Sequence, residues 1–327
     1  MPSLPSNRLV GGTFALLACA VLSACGGSGK ISGAGASFPA SIYTRWFADL
    51  ATKKGLQVAY QSVGSGAGVR QLIAQTVDFG ASDAPMRAED IARVSRGVVQ
   101  VPMTAGAIAV AYNFPGCDLK LSQSQLAGIF LGTINNFNQV GCGNKAIRVV
   151  HRSDGSGTTF NFTAHLAAIS PSWSKGPGNG TAVSWPTGIG AKGNEGVAAQ
   201  LTQVDGSLGY VEQAFVRGTL QAAALTNGSG QMTKPTNETA SQALATIDLG
   251  PDLIGSDPNP KQGYPIVTFT WILLYKTGNG ARTEPLKTAF NYTLSPDAQG
   301  IAPKLGFVSL PEPVVIRARA AVASIVP

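Results

Sequence analysis

The chain has 327 residues, of which 44% are hydrophobic and 13% charged, and its formal net charge is +7. That composition excludes a disordered chain and suits a globular one large enough for two lobes. The basic residues are scattered rather than run together with aromatics, which argues against nucleic acid as a partner and mildly favours encounter with small anions.

The first segment reads as an export signal. "MPSLPSNR" carries Arg8, and "LVGGTFALLACAVL" (9–22) is apolar but too short to span a bilayer well. It ends Leu22-Ser23-Ala24-Cys25 ahead of "GGSGK", a small-residue site of the lipobox kind. We expect a lipoprotein signal peptide over 1–24, lipid on Cys25 and a lipid-anchored tether over 25–30. The mature protein would then sit in the periplasm or on the outer face of the cell, touching membrane only through that anchor. A plain signal peptide with a chance cysteine is the alternative. Of the four cysteines, Cys19 falls in the signal, so Cys117 and Cys142 remain as an exported pair that reads as a disulfide. Closing that loop would contribute up to about 3.5 kcal/mol by chain entropy. His151 and His165 share no ligand spacing with either cysteine, so no metal is expected.

Short apolar runs then alternate with helical patterns, which predicts an α/β fold. In "GAGASFPASIYTRWFADLATKKG" (33–55), Phe38, Ile42, Trp46 and Leu50 recur every four residues on one helical face. Ser37 stands where an N-cap belongs, with Pro39 in the first turn. "LQVAYQSV" (56–63) predicts a strand, "VRQLIAQTV" (69–77) a helix, "VDFGAS" (77–82) a strand and "RAEDIARV" (87–94) a helix. "VVQVPMTAGAIAVAYN" (98–113) is a long extended stretch, "AIRVVHR" (146–152) a buried strand, and 170–196 an ordered Gly/Pro/Ser-rich loop. "YPIVTFTWILLYK" (264–276) is the most strand-like segment of all. Two long strands so far apart suit crossovers between lobes.

Three helix starts share one chemistry. Ser37-Phe38, Gly64-Ser65-Gly66 and Ser156-Gly157-Thr158 each put a hydroxyl and small residues at a helix N-terminus, where free amides and the dipole attract an anion. Serine caps beside glycine are common, so one alone would mean little. The third is armed with Arg152, whose planar fork suits a tetrahedral oxyanion. Asp154, two residues on, is placed to orient that guanidinium. Asp83 in "FGASDAP" (79–85) is odd company for an anion, unless the anion still carries a proton to donate, as phosphate does near neutral pH and sulfate does not. The plainer reading of Asp83 is an N-cap for the helix at 87.

Together these segments resemble the PstS family, the substrate-binding proteins of bacterial phosphate ABC transporters. The residues that carry the resemblance are "GAGASFP", "GSGAGVRQLIAQTVDFGASDAP", "RSDGSGTTFNFT", "WPTGIGAKGNEGVAA", "GSLGYVE" and "YPIVTFTWILLYK", in order from about residue 31 to the end. The resemblance implies a type II periplasmic-binding-protein fold, two α/β lobes joined by two crossover strands with ligand in the cleft. The lobes would be 31–113 with 269–327, and 114–268. The implied phosphate ligands are Ser37, the Phe38 amide, Ser65, Asp83, Arg152, Ser156, Gly157 and Thr158, with Asp154 bracing the arginine. It also implies a monomer with inorganic phosphate and the permease subunits of an importer as partners, and no cofactor. Ser37 departs from the threonine of many relatives but keeps the hydroxyl. The cysteine pair is no general feature of the family and stands on its own argument.

An enzyme is the competing class. Neither Ser156 nor Ser65 lies in G-x-S-x-G, no P-loop or G-x-G-x-x-G after a strand occurs, and no acidic cluster suits a metallophosphatase. A binder of another tetrahedral oxyanion of the sulfate kind, or a surface phosphate scavenger without a transporter, stays open.

Overall fold

The computed structural model describes residues 30–327. The expected signal, Cys25 and all but the last residue of the tether lie outside the described residues.

Eight strands carry the main sheet: β1 (Ile31–Gly35), β2 (Val58–Ser62), β3 (Phe79–Ser82), β4 (Val98–Asn113), β5 (Arg148–Arg152), β6 (Ile189–Ala191), β7 (Ser207–Glu212) and β8 (Val267–Tyr275). Their order is β2-β1-β3-β8-β4-β7-β5-β6, and a short strand Gln221–Ala222 also pairs with β4. The outer strands of each half run parallel, whereas β8 is antiparallel to β3 and β4, and β4 to β7. β4 belongs to both halves. From Val98 to Ala107 it pairs with β8, and from Ile108 to Asn113 with β7. All nine residues of β8 are buried, as is β4 from Val101 onward, so both are covered on both faces, with Thr104, Thr268 and Thr270 as buried polar interruptions.

Helices cover the sheet. α1 (Ala40–Lys54) lays Ile42, Tyr43, Trp46, Phe47 and Leu50 into the core and stops at Gly55, whose φ of 65° closes the last turn onto the Ala51 carbonyl. Fully burying a side chain such as Ile42 or Leu50 contributes roughly 1.5–3 kcal/mol. α2 (Ser65–Ile73), α3 (Gly157–Ile169) and α4 (Gly193–Gln203) each follow a strand of the sheet, and α5 (Glu312–Ala323) closes the chain against β4. A second, three-stranded sheet of Lys120–Leu121, Ala224–Thr226 and Met232–Thr233 lies apart from the main one. Nearby, Cys117 and Cys142 are joined in a disulfide across Cα atoms 5.6 Å apart.

Three local expectations change. The helix expected over 69–77 is α2 and starts at Ser65. Its glycines, unhelpful to a free helix, let it lie against β1: a Cβ on Gly68 would stand 2.6 Å from the Gly35 Cα. Ser37 does not cap α1, since the N-cap position is Pro39 and no side chain bonds there. The stretch 170–196 is only partly loop. It holds a helix, Pro171–Lys175, capped by Ser170, then β6 and the start of α4.

Candidate functional site

The carboxyl ends of β1, β3 and β5 and the N-termini of α2, α3 and α4 converge where the two halves of the sheet face each other. From one half come Ser37, Ser65 and Asp83, and from the other Arg152, Ser156, Gly157 and Thr158. The side chains among them are nearly or fully buried, Arg152 being 3% exposed and Asp83 1%.

Arg152 is held from behind. Its Nε and Nη2 donate to Asp154 Oδ1 and Oδ2 at 2.7 and 2.6 Å, and its Nη1 donates to Thr158 Oγ1 at 3.3 Å. Asp154 Oδ1 also accepts the Gly193 N–H at 3.0 Å. Burial raises the Asp154 carboxyl, but the hydrogen bonds and charge of Arg152, with the Gly193 N–H, outweigh it and hold the group below the usual range. The Arg152 main chain is fixed as well, its N–H donating to Tyr210 Oη at 3.2 Å. Tyr210 in turn stacks on Phe162 and Trp185.

Asp83 is the acceptor of the group. Thr270, on β8, donates to its Oδ1 at 2.8 Å. Burial pushes the Asp83 carboxyl up to about 7, against the opposing pull of Thr270, the Arg152 charge, Thr158 and Ser65. It caps no helix. The short helix at Ala88–Ala92 has Arg87 in the N-cap position and no side-chain cap.

The hydroxyls knit the halves together. Ser65 Oγ accepts the N–H groups of Gly157 at 3.0 Å and Asp83 at 3.3 Å. Ser37 Oγ accepts from the backbone and side chain of Asn194 at 3.0 and 2.9 Å. Ser156 caps α3 by accepting the Thr159 N–H at 3.0 Å. Asn161 Nδ2 reaches the carbonyls of Asp83 and Gly157 at 2.7 and 2.9 Å, and the Gly66 N–H donates to the Gly155 carbonyl at 2.9 Å. Gly157 is required by close approach, because a Cβ there would stand 2.7 Å from the Asp83 Cβ. Among the described residues, the main-chain N–H groups of Phe38, Ser65 and Thr158 make no hydrogen bond. Buried amides in that state ask for a partner. The Phe38 ring itself is core, edge-on to Phe307.

All eight expected residues and Asp154 therefore come together in space. Two neighbours were not foreseen. Asn194 lies in the quoted "GAKGNEG" segment and Thr270 in "VTFTW", so both were in view, but a polar residue among small ones or in an apolar strand shows its partner only once the sheet order is known.

This arrangement can hold an anion rich in oxygen, and the comparisons agree. A sequence model described as a PBP superfamily domain matches residues 23–297. The phosphate-binding protein PstS of Pasteurella multocida is 40% identical over 309 residues, covering 89% of this chain and 89% of that protein. The chain belongs to the PstS family. A second member, from Haemophilus influenzae, is 41% identical over 304 residues, covering 88% of this chain and 90% of the other. Among solved structures, the phosphate-binding protein from Stenotrophomonas maltophilia superposes with a TM-score of 0.74 at 22% identity, over 89% of this chain and 93% of that one. At that identity the likeness bears on fold, and the fold is the type II periplasmic-binding arrangement that the PstS resemblance implied. Among the described residues no helix is long and apolar enough to cross a membrane.

Proposed function

We propose that this chain binds inorganic phosphate in the cleft between its two lobes and delivers it to the permease subunits of an ABC-type importer. The observation that carries the reading is the braced Arg152 guanidinium brought together with the buried hydroxyls of Ser37, Ser65 and Thr158 from both halves of the sheet, and with Asp83 beside them as a carboxyl acceptor. Its relatives' names support it. The ligand set we assign is Ser37, the Phe38 N–H, Ser65, Asp83, Arg152, Ser156, the Gly157 N–H and Thr158. The lobes we assign are the expected 31–113 with 269–327, and 114–268, except that the last six residues of β4, 108–113, pair into the second lobe's half of the sheet.

Because Asp154 already neutralises Arg152, binding relies on directed hydrogen bonds more than on net charge. Charge-assisted bonds are worth roughly 1.5–3 kcal/mol each. Several of them, set against desolvation and lobe ordering, make micromolar affinity or better reasonable, about −8 kcal/mol. Asp83 accepts the proton that phosphate retains near neutral pH. The Gly157 N–H, bonded to Ser65 Oγ, turns to the ligand when the lobes admit it.

Binding without catalysis is the companion claim. His151 Nδ1 lies 3.0 Å from the Arg152 carbonyl and His165 Nδ1 lies 2.7 Å from the Pro258 carbonyl. Burial lowers both imidazoles, His165 to about 4, and neither hydrogen-bonds Ser65 or Ser156, whose oxygens accept main-chain N–H groups instead. Calorimetry with phosphate, sulfate and molybdate tests the reading, with an aryl phosphate as hydrolysis control. Absence of phosphate binding, or turnover of the ester, would overturn it.

The protein works as a monomer outside the cytoplasmic membrane, held by lipid on Cys25 through the short tether. Cys25→Ser should abolish incorporation of a labelled fatty acid and leave phosphate binding intact; label retained on that variant refutes the anchor.

A further inference from the structure

Asn194 is fully buried at the start of α4, and its side chain spends every hydrogen-bonding group it has. Its Oδ1 accepts the Glu212 N–H at 2.9 Å, which settles which end of the amide is which. Its Nδ2 therefore faces two hydroxyls, donating to Ser37 Oγ at 2.9 Å and to Thr158 Oγ1 at 3.1 Å. Its backbone N–H also donates to Ser37 Oγ, at 3.0 Å.

A hydroxyl accepts through two lone pairs and donates one hydrogen. Ser37 Oγ has both lone pairs filled, one by the backbone and one by the side chain of Asn194. Thr158 Oγ1 has both filled too, by Asn194 Nδ2 and Arg152 Nη1. Each oxygen is left with only its hydrogen to offer, and Asp83 is the acceptor within reach of the one on Thr158. Serine and threonine hydroxyls are otherwise ambivalent and would accept a proton from a ligand as readily as give one.

We propose that Asn194 is a positioning residue that sets the polarity of the site, compelling Ser37 and Thr158 to act as donors, so that Asp83 is left as the acceptor for a proton on the bound anion. The same bonds latch Ser37, from the first half of the sheet, to α4 and α3 of the second. This inference rests on the phosphate reading above. It extends that reading from which residues touch the anion to what makes their hydrogens point at it.

The isosteric change Asn194→Asp reverses the polarity. An ionised carboxylate there accepts from Ser37 and Thr158 and draws their hydrogens away from the ligand. At pH 8 phosphate affinity should fall by about a hundredfold or more by calorimetry. Relative to wild type at the same pH, much of that loss should return by pH 5.5, as the new carboxyl takes up a proton and can donate again. A merely structural role predicts a loss that does not recover. Wild-type affinity at pH 8, or a loss of equal size at both pH values, overturns the proposal. If that variant does not fold, Asn194→Ala carries the test. Its loss of about tenfold should shrink in a Ser37→Ala background, and a loss of unchanged size there overturns the proposal. Arg152→Ala, run beside them, separates the two claims. Should it bind phosphate as wild type does, the site itself is misassigned; should it fail while both Asn194 variants bind normally, only the role of Asn194 falls.

Discussion

The helices α2 and α3 begin from the same plan, a strand running into Gly-Ser-Gly and then a helix, yet their serines do different work. Ser156 is the N-cap of α3 and accepts the Thr159 N–H of its own first turn. In α2 the N-cap is Gly64, with φ of 91°, so Ser65 is already the first helical residue. Free of its own helix, Ser65 Oγ accepts from Gly157 and Asp83 instead. A register shift of one residue turns a local stabiliser into a bond between lobes. Equivalent motifs in a sequence are therefore not equivalent in the fold.

The comparison is broken most forcefully at the glycines that follow each serine. A Cβ on Gly157 would meet the Asp83 Cβ at 2.7 Å and the Ala84 nitrogen at 2.8 Å, whereas one on Gly66 would stand 3.2 Å from the Gly155 Cα. Gly157→Ala should weaken phosphate binding by about a hundredfold or more, close to 2.7 kcal/mol, and Gly66→Ala by less than about tenfold. Equal effects in titration calorimetry would mean that the two turns are interchangeable after all.

A buried guanidinium, Arg152, is what the α3 side has and the α2 side lacks, since Arg70 of α2 is exposed. Arg152→Ala removes the guanidinium and leaves Asp154 without its main partner, so affinity should fall at least about tenfold, or about 1.4 kcal/mol. An unchanged titration would reduce the arginine to scaffolding.

The serines themselves sharpen the contrast through binding. Ser156→Ala removes a cap and should cost about 1 kcal/mol, seen as a lower unfolding midpoint of the ligand-free protein. Ser65→Ala unpairs the Gly157 and Asp83 N–H groups, so it should lower the midpoint as well and weaken binding more than Ser156→Ala does. If Ser156→Ala weakens binding as much as Ser65→Ala, the distinction drawn from the cap positions is wrong.

The smallest expected effect concerns pH and sits where the two turns meet, at Asp83. With its carboxyl pushed up to about 7, the group is ionised well above that value and protonated well below it. Ionised, it only accepts, and an unprotonated sulfate oxygen is repelled. Protonated, it can donate, and sulfate becomes tolerable. A thousandfold excess of sulfate should fail to displace labelled phosphate at pH 8.5 and begin to compete at pH 5.5. Competition independent of pH would remove Asp83 from the selectivity argument.

Much of this was legible beforehand because it is local. The extended run 98–113 coincides with β4, and Phe38, Ile42, Trp46 and Leu50 are all fully buried. Gly-Ser-Gly turns and Arg152 beside Asp154 declare themselves within a few residues. What escaped depends on partners far along the chain. Ser37 read as a cap because nothing near it reveals Asn194. Thr270 read as one more residue of an apolar strand because its value lies in β8 running antiparallel to β3, with Trp271 opposite Ser82. The start of α2 escaped for the opposite reason: glycine propensity argued against a helix that contact with β1 makes possible.

The placement of β8 has a consequence for how the chain is made. β1, β2 and β3 are among the first strands to be synthesised, but β3 finds its second neighbour only in residues 267–275. The other half of the sheet draws all its strands from 108–222. In vectorial synthesis the second half of the sheet thus has all its strands before the first, whose β3 edge waits for a late strand. If the chain is exported, as proposed above, that delay keeps its leading portion unfinished, and so easier to thread, until residue 275 has been made.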